Sequence, residues 1–138
     1  VIAEPNAKFG QPEIVLGVFP PVAALILPDL VGQSRADDLV ITGRSIDAQT
    51  ALSWGLVHAV AEDGAALLAD ALAKHFLPKS ASSLRHATRA VRARWHRELP
   101  DALDRMERAY VDDLMATKDA NEGIAAFLEK RTPSWVNR

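Results

Sequence analysis

Prolines and glycines cut the first sixty residues of this chain into pieces too short for any long element. Pro12, the pair Pro20-Pro21, Gly32, Gly43 and Gly55 recur every eight to twelve residues, and each stops or redirects the backbone. Val1 to Ala3 and Lys8 to Leu16 read as short extended segments around a turn at Pro5-Asn6. Pro12 disfavours helix at Gln11, so the approach to Glu13 is expected to be extended. Pro21 suits the first position of a helix running to about Val31 and closed by Gly32. Ser34 and Asp37 resemble a capping box that would start a second helix, ended by Gly43. Asp47 can cap a third through Trp54, with Gly55 as its left-handed exit. Leu56 to Ala61 reads as a strand. Pieces of this size make a compact layer.

After residue 62 the pattern changes to helix. Ala65 to Phe76 is rich in alanine and leucine and is stopped by Pro78. From Ser80, Leu84, Ala87, Val91 and Trp95 follow at spacings of three and four, the repeat of a buried helical stripe. Pro100 is placed to open another helix, with Leu103, Met106, Tyr110 and Leu114 on one face. Asp119 and Glu122 mark a last start, and Ile124, Phe127 and Leu128 form its apolar face before Pro133. The expected fold class is therefore α/β, predominantly helical with a few short strands. A first region spans 1–62 and a helical region spans 63–138.

Bulk properties narrow the function classes. A chain of 138 residues, 49% hydrophobic and 25% charged, is the length and composition of one ordinary folded domain. It has no cysteine, which removes disulfides, thiol nucleophiles and thiolate metal sites and fits a reducing, cytoplasmic setting. Val1 to Pro78 carries 4 basic and 9 acidic groups, and Lys79 to Arg138 carries 12 and 9. That basic excess is too small to make nucleic acid the main partner. The longest apolar run, Ile14 to Leu27, is short and broken by Gly17 and Pro20-Pro21, so it does not read as a membrane span. No signal-peptide pattern opens the chain. Val1 reads as the middle of a strand, as expected of a piece of a longer protein.

Glu13 is the residue that carries chemistry. It stands between a rigid proline and an apolar run, and a carboxyl carried into apolar surroundings suits proton transfer. A lone Glu at a strand end is more often simply solvated or ion-paired. The histidines His58, His75, His86 and His96 show no i, i+4 pairing and no carboxylate motif, so no metal site is expected. Arg85, Arg89, Arg92 and His96 form a basic stripe, read here as a solvated or subunit-facing surface in preference to a phosphate site. Trp54, Trp95 and Trp135 are read as packing or interface residues.

Three ordered segments carry a family resemblance over nearly the whole chain. Lys8-Phe9-Gly10-Gln11-Pro12-Glu13-Ile14-Val15-Leu16-Gly17 closely resembles the strand-turn segment of the crotonase (enoyl-CoA hydratase/isomerase) family. Leu39-Val40-Ile41-Thr42-Gly43-Arg44, then Ile46, Ala48, Ala51 and Gly55-Leu56-Val57, resemble its next signature. Asn121 to Arg131 resembles the third. The loop Gly17-Val18-Phe19-Pro20-Pro21-Val22-Ala23-Ala24 departs from the glycine-rich loop of short-chain hydratases. It is similar to that of the cyclohexa-1,5-diene-1-carbonyl-CoA hydratases of anaerobic aromatic compound degradation.

The resemblance implies a crotonase-like fold, with residues 1–62 ending its core and 63–138 forming a C-terminal helical, oligomerisation-type region. It implies addition of water to an enoyl- or dienoyl-CoA thioester, with Glu13 as a catalytic acid/base. Leu16, Gly17, Phe19 and Pro20 would shape the acyl pocket. Phe127 and Lys130 would lie beside the CoA nucleotide, although core packing is an equal reading of Phe127. No metal or redox cofactor is implied, and the expected partners are acyl-CoA and further copies of the chain in trimers or pairs of trimers. The family's oxyanion-hole N–H groups and its second Glu come from the half that precedes the matched segments. An oxyanion hole is usually the largest single contribution to such catalysis, so the segment alone is expected to be inert. A non-enzymatic helical oligomerisation module, or one subunit of a split enzyme, is the competing expectation.

Overall fold

The computed structural model describes all residues from Val1 to Arg138. Contacts group them into two compact units, each made of two stretches of the chain. One comprises Val1–Ala7 and Asp47–Pro100, the other Lys8–Ile46 and Asp101–Arg138.

In the first unit, strand β1 (Ile2–Ala3) pairs in parallel with a strand at Ala59–Val60, Ile2 opposite Ala59 and Ala3 opposite Val60. The strand expected from Leu56 to Ala61 is thus shorter. Leu56 and Val57 donate their N–H groups back to the Ala51 carbonyl, so they finish the preceding helix instead of joining a ladder. That helix, Ala48–Trp54, begins as the sequence predicts: the Asp47 carboxylate accepts from Thr50 N at 2.7 Å. Ala3, Ala48, Ala51 and Val57 form the unit's small core.

The helical region follows from Gly64. Gly64–Ala71 is capped by Asp63, continues as a π-helical turn over Leu72–Phe76, and is followed by Ala81–Val91, capped by Ser80. The next helix, Ala93–Arg108, corrects the expected break: Pro100 lies inside it. A proline there deletes one N–H donor, and the turns on either side carry the helix across. None of these helices has a fully buried side chain.

In the second unit, β2 (Lys8–Gly10) lies beside β3 (Ser45–Asp47). In chain order the remaining strand, Ala59–Val60, is β4. The helices Pro21–Val31, Gln33–Thr42, Ala48–Trp54, Gly64–Ala71, Ala81–Val91, Ala93–Arg108 and Lys118–Leu128 are α1 to α7. Helices α1 and α2 pack on each other, burying Leu27, Val31, Ala36 and Leu39, with Ile46 of β3 also in the core. Two helix starts differ from expectation. Helix α2 begins at Gln33 with no side-chain cap; Asp37 instead accepts from Gln33 Nε2 at 2.7 Å. Helix α7 is capped by Thr117, whose hydroxyl accepts from Ala120 N, and not by Asp119. No helix is long and apolar enough to cross a membrane.

Candidate active site

Glu13 does not lie on an extended segment. Extended structure stops at Gly10, and residues Pro12–Leu16 form a single 3-10 turn with proline at its start. Gln11 keeps the non-helical backbone that a following proline demands, with φ −131° and ψ 82°. Proline at the first helical position is tolerated because its missing N–H would have had no partner there. Gly17 ends the turn with φ 71°, a left-handed conformation that only glycine adopts without strain. Its N–H donates to the Ile14 carbonyl at 3.0 Å, and Val18 N donates to the Glu13 carbonyl at 3.3 Å.

The turn is held from two sides. At the end of α2, a Cβ placed on Gly43 would lie 2.7 Å from the Ile14 Cγ2 methyl. At α7 the approach is closer still: a Cβ on Gly123 would stand 2.0 Å from the Leu16 carbonyl oxygen. Helix backbone therefore rests directly against turn backbone, and only glycine at 123 permits it. Arg44 reaches back to α2, its Nε donating to Asp38 Oδ1 at 2.7 Å, so the strand that follows Gly43 is tied to the same helix.

This mounting leaves the Glu13 carboxylate half-buried, and its Oε2 is a buried oxygen with no hydrogen-bond partner in the chain. A buried polar atom without a partner costs roughly 1–3 kcal/mol, and more when charged. Such atoms are few in native structures, and each calls for an explanation.

The residues expected to shape an acyl pocket follow on the same loop. Leu16 and Gly17 are half-buried, Val18 and Pro20 are buried, and Phe19 meets Tyr110 edge to face, ring centroids 5.4 Å apart at 71°. Tyr110 belongs to a π-helical turn, Ala109–Leu114, and its pairing with Phe19 has no local sequence signal. Phe127 and Lys130 stand at the end of α7. Phe127 is 64% exposed, so residues 1–138 do not pack it into a core, and Lys130 is exposed with φ 55°.

Behind the turn, the C-terminal tail folds back on α7. Asp119 accepts from Val136 N and Asn137 N at 2.8 and 2.7 Å, and Glu122 accepts from Ser134 N at 2.8 Å. Arg131 forms a two-pronged pair with Glu122, one arm at 2.9 Å, and its Nε donates to Glu129 at 2.6 Å. The Arg131 guanidinium and the Ser134 N–H hold the Glu122 carboxyl down to about 2.

These features are those of a known architecture. Among solved structures, an enoyl-CoA hydratase/isomerase from Pseudoalteromonas atlantica superposes with a TM-score of 0.84 at 32% identity, over 99% of this chain and 55% of that one. The family model for enoyl-CoA hydratase/isomerase matches residues 1–138, and the chain belongs to that family. Two curated relatives match all of the chain. The cyclohexa-1,5-dienecarbonyl-CoA hydratase of Thauera aromatica is 48% identical over 138 residues, and the 2,3-dehydroadipyl-CoA hydratase of Escherichia coli is 40% identical over 144. The chain spans 54% of the length of each. The fold is the expected crotonase type, here mostly helical with short strands.

Proposed function

We propose that this chain supplies the acid/base half of an acyl-CoA hydratase that adds water across the C=C bond of an enoyl- or dienoyl-CoA thioester. The observation that supports it most is Glu13 Oε2, a buried carboxylate oxygen left without a partner on a turn clamped by α2 and α7. A proton-transfer group must exchange its proton with substrate or water, so a permanent protein partner on that oxygen would compete with the reaction. In hydration the oxygen of water bonds to the β-carbon while a proton reaches the α-carbon. Glu13 would deliver that proton or draw one from the attacking water. Leu16, Gly17, Phe19 and Pro20 would form the acyl-pocket wall, and Phe127 and Lys130 would meet the CoA nucleotide.

The likeness to the dienecarbonyl-CoA hydratase favours a cyclic dienoyl substrate, and the stiff Phe19-Pro20-Pro21 loop agrees with a wall rebuilt for a ring. By the family order of segments, the oxyanion N–H donors and the second Glu would be contributed ahead of the part seen here. Residues 1–62 would close the catalytic core and 63–138 serve assembly into a cytoplasmic homo-oligomer, with no metal or redox cofactor.

Replacing Glu13 by Gln keeps size and hydrogen-bonding capacity and removes the titrating proton. In the full-length protein kcat is expected to fall by about two to four orders of magnitude, the usual share of a general acid or base. Acyl-CoA binding should change little, because the loss belongs to the transition state. Near-normal turnover in that variant would remove Glu13 from the mechanism.

A further inference from the structure

The tail from Ser134 to Asn137 has no regular structure of its own, yet two carboxylates of α7 fix three of its backbone N–H groups. Carboxylate-to-amide bonds are among the stronger hydrogen bonds available at a surface. They hold the tail in one course, and that course carries Trp135 to a specific place. A Cβ added at Gly17 would lie 3.0 Å from the Asp119 carbonyl oxygen and 3.1 and 3.2 Å from ring atoms Cζ3 and Cη2 of Trp135, and one added at Gly123 would lie 3.0 Å from the same Cη2. The indole edge therefore sits where the turn bearing Glu13 ends and where α7 presses on that turn.

We infer that Trp135 is a positioning residue: held by Asp119 and Glu122 through the tail backbone, its ring locks the left-handed Gly17 turn and so fixes the Glu13 carboxylate. The catalytic consequence rests on Glu13 being the proton-transfer group, whereas the mechanical coupling does not. Glycine at 17 is needed for its positive φ, but glycine also leaves the turn free to leave that conformation. A bulky ring against its Cα removes that freedom without adding a side chain to the turn. The ring is 42% exposed, so it is not a core filler whose loss would open a large cavity. Its removal should act locally.

The test uses the full-length protein with Trp135→Ala and Trp135→Phe, read by hydrogen exchange and by steady-state kinetics. In Trp135→Ala the Gly17 and Val18 amides should exchange about tenfold faster or more, while amides of α2 around Leu39 keep their protection. Turnover should fall by about tenfold with KM within about twofold, as expected when a catalytic group is misplaced and binding is not. Trp135→Phe, which keeps an aromatic edge against Gly17, should restore most of both. Unchanged exchange at Gly17 and Val18 would overturn the inference, as would loosening spread evenly through α2. Turnover within twofold of normal in Trp135→Ala would overturn its catalytic half. If Glu13→Gln proves fully active while Trp135→Ala still loosens the turn, the coupling stands and the proton-transfer role of Glu13 is what fails.

Discussion

Helices α2 and α5 have nearly the same length and both show apolar residues at helical spacing, yet they end in opposite environments. In α2, Leu39 is 1% exposed and Ala36 is buried, and the helix end braces the turn that carries Glu13. In α5, Val91 is 84% exposed, and no residue is fully buried. The apolar repeat is therefore a statement about the face a helix must cover, and not about what covers it. Behind the turn the chain covers Leu39 and Ala36 itself, although Val15 of the turn and Ile41 of α2 stay open. From α4 through the π-helical turn to α5 it leaves Leu68, Leu72, Phe76, Leu77 and Val91 open.

Deleting side chains at Leu39 and Val91 sharpens the contrast and should give the largest effect. Leu39→Ala removes buried methyl groups from the contact of α1 with α2. It is expected to cost about 2–5 kcal/mol in a denaturant titration of the full-length protein. Val91→Ala should stay within about 0.5 kcal/mol if that face remains in water. A cost at Val91 approaching that at Leu39 would show the face to be buried in the assembled protein, and sedimentation of the variant would then show a weakened oligomer.

Gly123 probes the bracing of the turn more finely. Gly123→Ala places a Cβ 2.0 Å from the Leu16 carbonyl oxygen, and neither partner in that contact is a flexible side chain. The backbones must separate, at a cost of roughly 1–3 kcal/mol. Because that separation moves Glu13, turnover should fall along with stability. Alanine accepted without loss of either would mean that α7 does not press on the turn in solution.

Short-range chemistry was legible in the sequence and long-range chemistry was not. Asp47 as a cap, Gly32, Gly43 and Gly55 as helix ends, and the non-helical backbone that Pro12 imposes on Gln11 are all settled within a few residues, and each stands where its local signal puts it. The segment around Glu13 was legible as a family segment, but its 3-10 turn was not, since Ile14-Val15-Leu16 favours a strand by composition. Thr117 displaced Asp119 as a cap because Asp119 is bound to the tail seventeen and eighteen residues away. Trp135 at Gly17 and Tyr110 at Phe19 join positions about a hundred residues apart, which no periodicity encodes.

The tail offers a smaller, pH-dependent handle on the braced region. Glu122 is held down to about 2 from its ordinary 4.5 by Arg131 and the Ser134 N–H. A carboxyl depressed in the folded state contributes fully above its ordinary value, and that contribution fades as pH falls through the folded one. The tail should therefore stay docked at neutral pH and loosen between about 4.5 and 2, seen as faster exchange of the Ser134 amide as acid is added. Glu122→Gln should loosen the tail already at pH 7 and remove that acid dependence. A tail equally protected in the Gln variant would leave Asp119 as the residue that holds it.

The smallest expected effect lies on the exposed side of the comparison, at the basic stripe of α5 and its continuation. Arg85, Arg89 and Arg92 are all exposed, and each is followed three or four residues on by another basic group, ending at His96. A phosphate site built from arginines normally converges two or more guanidinium groups on one anion with planar, two-pronged geometry. A stripe that runs along α5, past its end at Arg92 and into α6 spreads its charges instead, and exposed charges of this kind are screened by salt within about 10 Å. Replacing all three by Ala in the full-length protein should therefore leave acyl-CoA affinity unchanged. The measurement is a binding titration at low and at physiological salt, with sedimentation to confirm that the oligomer is intact. Loss of tenfold or more, about 1.4 kcal/mol, that grows as salt is lowered would make the stripe a contact for the CoA phosphates. That face of α5 would then belong to the substrate site, and its contrast with the turn that carries Glu13 would no longer separate assembly from catalysis.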